Sequence, residues 1–222
     1  MIESKIRVFD SLAADYDAWF EKEGRLIFAS EVEALRQALP LLPKPWIEVG
    51  IGSGRFAQAL GIDIGLDPSS KLLKIARNRG ARVLLGRGEE APFKDGSFGA
   101  IFFIVTLCFV DSPSRILTEA ARLLKSQGKV VLGLVLKESP CGQLYQREKE
   151  MGHRFYRHAT FYSYAEVEIF LMQTGFLIER VISTLFQNPG EVYHIESPQR
   201  GFFQSASFTV VLAGKASAQK IE

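Results

Sequence analysis

Apolar residues fall along this chain in short blocks of two kinds. Phe98 to Thr106 and Lys129 to Leu136 are apolar with no alternation. Runs of that kind predict strands buried on both faces. Ile47-Glu48-Val49, Ile62 to Leu66 and Arg82 to Leu85 are shorter blocks of the same character. Between them the period changes to that of a helix. Phe56 to Leu60 predicts a short helix stopped by Gly61. Pro68 and Ser69 open another, with Leu72, Leu73, Ile75 and Ala76 apolar, ending by Gly80. Ser114 to Leu124 puts Ile116, Leu117, Ala120, Ala121 and Leu124 inward. Ala165 to Thr174 is a further helix, stopped by Gly175. Before the first strand, Ser11 to Leu42 reads as mostly helical with a break near Gly24, and Ile27, Glu31, Ala34, Leu35 and Ala38 give a mixed face. Pro40, Pro43 and Pro45 end that region. Gln143 to Tyr162 is polar and aromatic, read as helix plus cap. Phe176 to Phe186 and Ser207 to Leu212 are late strands with no helix between them, so they can pair antiparallel. Alternating strands and helices predict an α/β chain with a mostly parallel sheet covered on both faces.

Composition narrows the function. The 222 residues are 47% hydrophobic, enough for one sizeable core. We expect one domain over 1–222, with a helical cap at 1–43, a cofactor-binding core at 44–136 and an acceptor-side segment at 137–222. A net charge of +2, without a long Lys/Arg cluster, argues against a nucleic-acid partner. Cys108 and Cys141 have no metal-ligand spacing, which suggests a reducing compartment and no metal. The N-terminus lacks the apolar stretch of a signal peptide, and the longest apolar run, Ala100 to Val110, is too short to span a bilayer. A cytoplasmic monomer or homodimer is expected.

The candidate chemistry lies at Glu48-Val49-Gly50-Ile51-Gly52-Ser53-Gly54. Alternate glycines let the backbone turn sharply and lie against a ligand. The helix that follows turns unpaired N–H groups toward it. A dinucleotide fingerprint has its third glycine five positions after its first; here Gly54 comes four after Gly50, and Arg55 holds the dinucleotide position. Asp67 ends the second strand about 20 residues after the motif opens, placed to accept ribose hydroxyls.

This E-x-G-x-G-x-G pattern resembles motif I of the class I S-adenosylmethionine-dependent methyltransferases. Glu89 to Phe98 is similar to the A-E-x-L-P-F-x-D-x-S-F-D stretch of the subgroup that includes the ubiquinone/menaquinone C-methyltransferases. Leu117 to Lys129 resembles its L-x-E-x-x-R-V-L-K-P-G-G stretch, Asp15 to Phe20 its Y-D-x-W-F segment, and Phe161 to Phe176 its late helix ending in G-F. The resemblance implies a Rossmann-like, doubly wound sheet of seven strands with the last inserted antiparallel. It implies S-adenosylmethionine as methyl donor and direct in-line transfer to a small-molecule acceptor. Four positions depart from it: Arg87 replaces the usual adenine-binding acid, Gly99 an Asp, and Ser126-Gln127 a Pro-Gly.

On this reading the donor would be held by Glu48, Gly50, Gly52, Gly54, Asp67, Pro68, Ser69, Gly88, Glu89, Ile104 and Val105. Ser69 serves equally as a helix cap, and core packing accounts for the side chains of Ile104 and Val105. Tyr16 and His158 are candidates for a catalytic role, although Tyr16 fits a packed helix face and His158 a surface position. Methyl transfer from a sulfonium needs alignment and exclusion of water more than a protein nucleophile. Cys108 lacks the neighbouring proline of a cytosine-methylating site. A second function class stays open, a non-catalytic protein that binds or senses S-adenosylmethionine. The glycine register disfavours a third, a dinucleotide-dependent oxidoreductase. Gln187 to Gln204 carries only turn signals, Pro189-Gly190 and Pro198.

Overall fold

The computed structural model describes residues 2–216. Three helices come first: α1 (Ile2–Ser11), α2 (Ala13–Trp19) and α3 (Arg25–Arg36). Strands and helices then alternate as β1 (Trp46–Val49), α4 (Arg55–Leu60), β2 (Ile64–Asp67), α5 (Ser70–Asn78), β3 (Arg82–Leu85), β4 (Phe98–Ile104), α6 (Pro113–Leu123) and β5 (Leu124–Leu134). The chain finishes with α7 (Pro140–Glu150), α8 (Tyr164–Gln173), β6 (Phe176–Thr184), β7 (Gln199–Arg200) and β8 (Phe208–Lys215). One serine device starts four of these helices. Ser69, Ser112, Ser139 and Ser163 each accept a hydrogen bond from a backbone N–H of the first turn. Glu166 completes a capping box with Ser163.

All eight strands form one sheet in the order β3-β2-β1-β4-β5-β8-β6-β7. β1 to β5 pair parallel. β8 runs antiparallel between β5 and β6, the arrangement expected for the last strand. The count is eight rather than seven because Gln199–Arg200 pairs with Ile182–Ser183. Both β7 residues are exposed and polar, so backbone pairing alone makes this strand and no apolar pattern announces it.

The unalternating runs sit where their composition requires. Every residue of β4 is buried. On one face of the sheet Ala100, Phe102 and Ile104 pack with Leu35 of α3 and Phe56 of α4. On the other, Ile101 and Phe103 pack with Ile116 and Leu117 of α6 and Leu171 of α8. Gly99 has a steric reason for departing from the usual Asp, since a Cβ there would lie 2.1 Å from the Pro43 carbonyl oxygen. Other boundaries move. Helix α1 lies inside the segment expected as a helical cap but ahead of Ser11, where the helical run was read to begin; Leu124 opens β5 instead of closing α6, and α7 starts at Pro140 rather than Gln143. Among the described residues no helix is long and apolar enough to cross a membrane.

Candidate functional site

Strand order reverses between β1 and β4, with β2 and β3 on one side and β5 on the other. Open α/β sheets hold ligands at such a reversal, outside the carboxyl ends of the strands. A cleft of about 140 Å³ lies there, walled by the ends of β1, β2 and β4 and the loops that follow them. Gly50, Gly52, Asp67, Pro68, Ser69, Gly88, Glu89, Ile104 and Val105 all line it, and so does Tyr16. Glu48, Gly54 and His158 do not.

The turn after β1 explains its glycines. Gly50 has φ +79° and its N–H donates to Leu66 O at 2.7 Å, while a Cβ would stand 2.4 Å from Thr106 Oγ1. Gly54 also has positive φ, but its constraint is packing, with a Cβ position 3.0 Å from that of Ala76 on α5. It sets how α4 meets α5 rather than how a ligand approaches. Glu48 lies under this turn, 1% exposed. Burial, reinforced by nearby Asp67, pushes its carboxyl well above the ordinary range, against a hydrogen bond from the Ala57 N–H of α4. Its Oε2 has no hydrogen-bond partner among the described residues.

Asp67 is 7% exposed at the end of β2. Its Oδ2 accepts from the Gly52 N–H at 2.9 Å and its Oδ1 from the Ser69 N–H at 2.8 Å. One carboxylate therefore clamps the glycine turn to the start of α5. Burial raises its pKa to about 6, the two N–H groups oppose that rise, and Asp10 adds to it. Asp10 belongs to α1; it accepts from Ser69 Oγ at 2.6 Å and from the Lys71 N–H at 3.1 Å. The first helix is thereby tied to the rim of the cleft.

A second tie comes from α2. Asp17 accepts from Arg55 Nε at 2.9 Å and from Arg79 Nη2 at 2.7 Å, and Arg79 Nη1 donates to Ser53 O at 2.7 Å. Burial acts to raise the Asp17 carboxyl, but the hydrogen bonds from Arg55 and Arg79 outweigh it and hold the pKa at about 2. This latch carries Tyr16 over the glycine turn. Tyr16 packs edge-on to Phe9 and to Phe155, with ring centroids 5.9 Å apart in each case, and Phe9 packs on Phe109 at 5.1 Å. Burial, then the charges of Asp67, Glu48 and Glu31, keep the Tyr16 phenol protonated far above its ordinary range. In that state it is a hydrogen-bond donor. His158 sits in a one-turn helix at Tyr156–His158 away from the cleft, and its Nε2 accepts from Arg157 Nε at 3.0 Å.

Val105 has φ +50°, a strained conformation for a β-branched residue. Such strain costs about 1–3 kcal/mol and collects at functional sites. Its N–H donates to Gly133 O at 2.8 Å, and the chain then turns so that Thr106 Oγ1 donates to Val49 O. Arg87 and Glu89 face each other across the rim, Nε to Oε2 at 3.7 Å. Thr106 also lines the cleft, as its place at the carboxyl end of the fourth strand implied; Ile6, Phe9, Leu72, Phe109, Val110 and Asp111 line it too, and sequence reasoning did not single these six out.

A parallel sheet with a glycine turn and an acid at its switch point defines a nucleoside-binding α/β protein. Comparison with known proteins narrows the class. Residues 47–132 match a family described as methyltransferase domain. The crystal structure of an S-adenosylmethionine-dependent methyltransferase, possible histamine N-methyltransferase, from Thermotoga maritima superposes with TM-score 0.87 and 38% identity, covering 94% of this chain and 99% of that one. An uncharacterized protein of Mycobacterium tuberculosis is 41% identical over 203 residues, 90% of this chain and 71% of the relative. A demethylmenaquinone methyltransferase of Thermotoga maritima is 30% identical over 139 residues, 57% of this chain and 59% of that protein. The chain belongs to the class I S-adenosylmethionine-dependent methyltransferases.

Proposed function

We propose that the cleft holds S-adenosylmethionine and that the protein directs its methyl group, by in-line displacement, onto a small-molecule acceptor. Asp67 is the observation that carries this reading. Its carboxylate is fixed by Gly52 and Ser69 and faces the cleft from the end of β2, where it presents remaining lone pairs to a vicinal diol. Gly50 and Gly52 leave the backbone bare beside it. The Gly88 and Glu89 backbone lies on the opposite rim, suited to an adenine edge, while Pro68, Ile104 and Val105 supply apolar contact. Glu48 supports the turn from below, and its unpartnered oxygen suits the donor's ammonium group.

When bound, the donor supplies a methyl group already activated on a sulfonium. The chain's part is to align and to keep water out. Phe9, Tyr16 and Phe109 roof the cleft with aromatic rings, which also suit a neighbouring cation. Two of the similar proteins named above carry small-molecule acceptors in their descriptions, a possible histamine N-methyltransferase and a demethylmenaquinone methyltransferase, and the net charge of +2 does not favour a nucleic acid.

Calorimetric titration with S-adenosylhomocysteine tests the reading. Wild-type protein should bind it saturably, and Asp67→Ala should weaken binding on the order of a hundredfold, the loss expected for hydrogen bonds to a charged group. An unoccupied cleft at millimolar ligand, or tighter binding of a nicotinamide dinucleotide, overturns it. Transfer of labelled methyl to metabolites but not to RNA or protein tests the acceptor class.

A further inference from the structure

Arg87 is the only basic side chain among the described residues that line the cleft, whose acids are Asp67, Glu89 and Asp111. The backbone on either side of it is tightly held. The Gly86 N–H donates to Asp67 O at 3.1 Å, which ties the loop to the end of β2 one residue short of Arg87. A Cβ at Gly86 would stand 3.0 Å from Leu66 Cδ1, and one at Gly88 would stand 2.5 Å from Ile116 Cδ1. Both neighbours of Arg87 are thus packed to contact. Arg87 itself is the extended residue that opens the one-turn helix Gly88–Glu90. Its side chain is 46% exposed and that of Glu89 only 9%, with Nε and Oε2 3.7 Å apart, too far for a hydrogen bond. The acid is held in the wall, while the guanidinium can swing over the rim.

These two side chains offer opposite chemistry. A carboxylate only accepts and a guanidinium only donates. On the reading of the cleft given above, the donor's ribose lies on Asp67 and its ammonium over Glu48, so its nucleobase extends toward residues 86–89. The 6-amino group of adenine donates, and Glu89 can accept from it. Arg87 cannot. Its fork matches instead an edge that carries two acceptors, the O6 and N7 of a 6-oxopurine. A rim carrying acids alone would reject that edge, because O6 and a carboxylate both accept.

We infer that the cleft also takes nucleosides whose base is hypoxanthine, with Arg87 as the residue that recognises the oxo edge. The inference rests on the proposed function and deepens it by widening the class of ligand that the same site holds. S-inosylhomocysteine, in which a carbonyl oxygen replaces the adenine amine of S-adenosylhomocysteine, is the simplest such ligand. Hydrolytic deamination of the spent donor would then exchange one inhibitor of this protein for another.

The test is calorimetric titration of the full chain with S-adenosylhomocysteine and with S-inosylhomocysteine in one buffer, read as the ratio of the two dissociation constants. We expect wild type to bind the two within about tenfold of each other. Arg87→Ala should weaken the inosyl ligand at least about tenfold more than the adenosyl one, the loss expected for a hydrogen bond from a charged group. Arg87→Asp, which sets a further acid against O6, should widen the gap to about a hundredfold or more. A folding defect weakens both ligands alike and leaves the ratio where it was. A wild-type gap wider than about tenfold, or a ratio that neither substitution moves, overturns the inference while leaving the adenosyl site standing. Wild type that binds neither ligand is a different result, which strikes the reading of the cleft itself and the inference with it.

Discussion

Asp67 decides the most at the level of single residues. Its burial raises the carboxyl to about 6 despite two N–H donors, so the unliganded fold holds the ion at a cost. The sign follows from linkage. A carboxyl raised in the folded state above its unfolded value of about 3.9 makes that state less stable as pH climbs from about 4 to about 6, and constant above. On the proposed function a ribose diol would donate to the ion and offset that cost, so donor affinity should be full above pH 6 and fall about tenfold per unit below it. Asp67→Asn should bind on the order of a hundredfold more weakly at pH 8 and show a nearly flat profile, and calorimetry across pH 5–8 checks both. A wild-type profile as flat as the variant's would show that the ion is not what grips the ligand. Asp67 and the glycines were legible in the sequence because the tight turn after β1 and the carboxylate that clamps it fix both residue type and spacing. Phe9 and Phe109 were not, since they act through where a helix or a turn delivers a ring.

The legible elements were those whose pattern records burial on two sides, chiefly β4 and β5 with the helices around them. Those held by backbone pairing or by single side-chain contacts left a weaker one, as with the two-residue β7 and helix α1. The α2 latch belongs with the second group. Asp17 and its partners Arg55 and Arg79 are far apart in the chain, and their side chains are only 13–17% exposed. In sequence they are ordinary charges. Removing the acid leaves two largely buried guanidinium groups short of a partner, although Arg55 keeps Glu21 at 2.7 Å. Asp17→Asn should therefore cost about 2–4 kcal/mol, read as a lower urea midpoint with unchanged slope. The Asp17 carboxyl is lowered to about 2 in the fold. Its contribution is present above the unfolded value near 4 and is lost as pH falls toward 2, about 2 kcal/mol in all. The variant and wild type should converge in stability over that window. Parallel curves down to pH 2 would mean that the latch carries no net energy.

Across the whole molecule, the cleft has a floor and a roof of different character. The floor is the sheet edge, fixed by the buried core on both faces. The roof is gathered from three places, with Phe9 and Tyr16 before the sheet, Phe109 after β4 and Phe155 after α7. Among the described residues, helix α1 meets the body through Phe9 and the Asp10 contacts to Ser69 and Lys71. Segments that pack on the rim of a sheet open at lower cost than its core strands. A ligand bridging floor and roof should then act on both global and local stability. At a hundredfold excess over its dissociation constant, S-adenosylhomocysteine should add about 2.7 kcal/mol. For a chain of 222 residues that is a rise in melting temperature of about 5–10 °C. Hydrogen exchange should slow most in α1 and α2, which can open without unfolding the sheet, and least in the exposed edge strand β3. A thermal shift of that size with unchanged exchange in α1 and α2 would place the ligand on the floor alone, and the aromatic roof would then have no part in holding it.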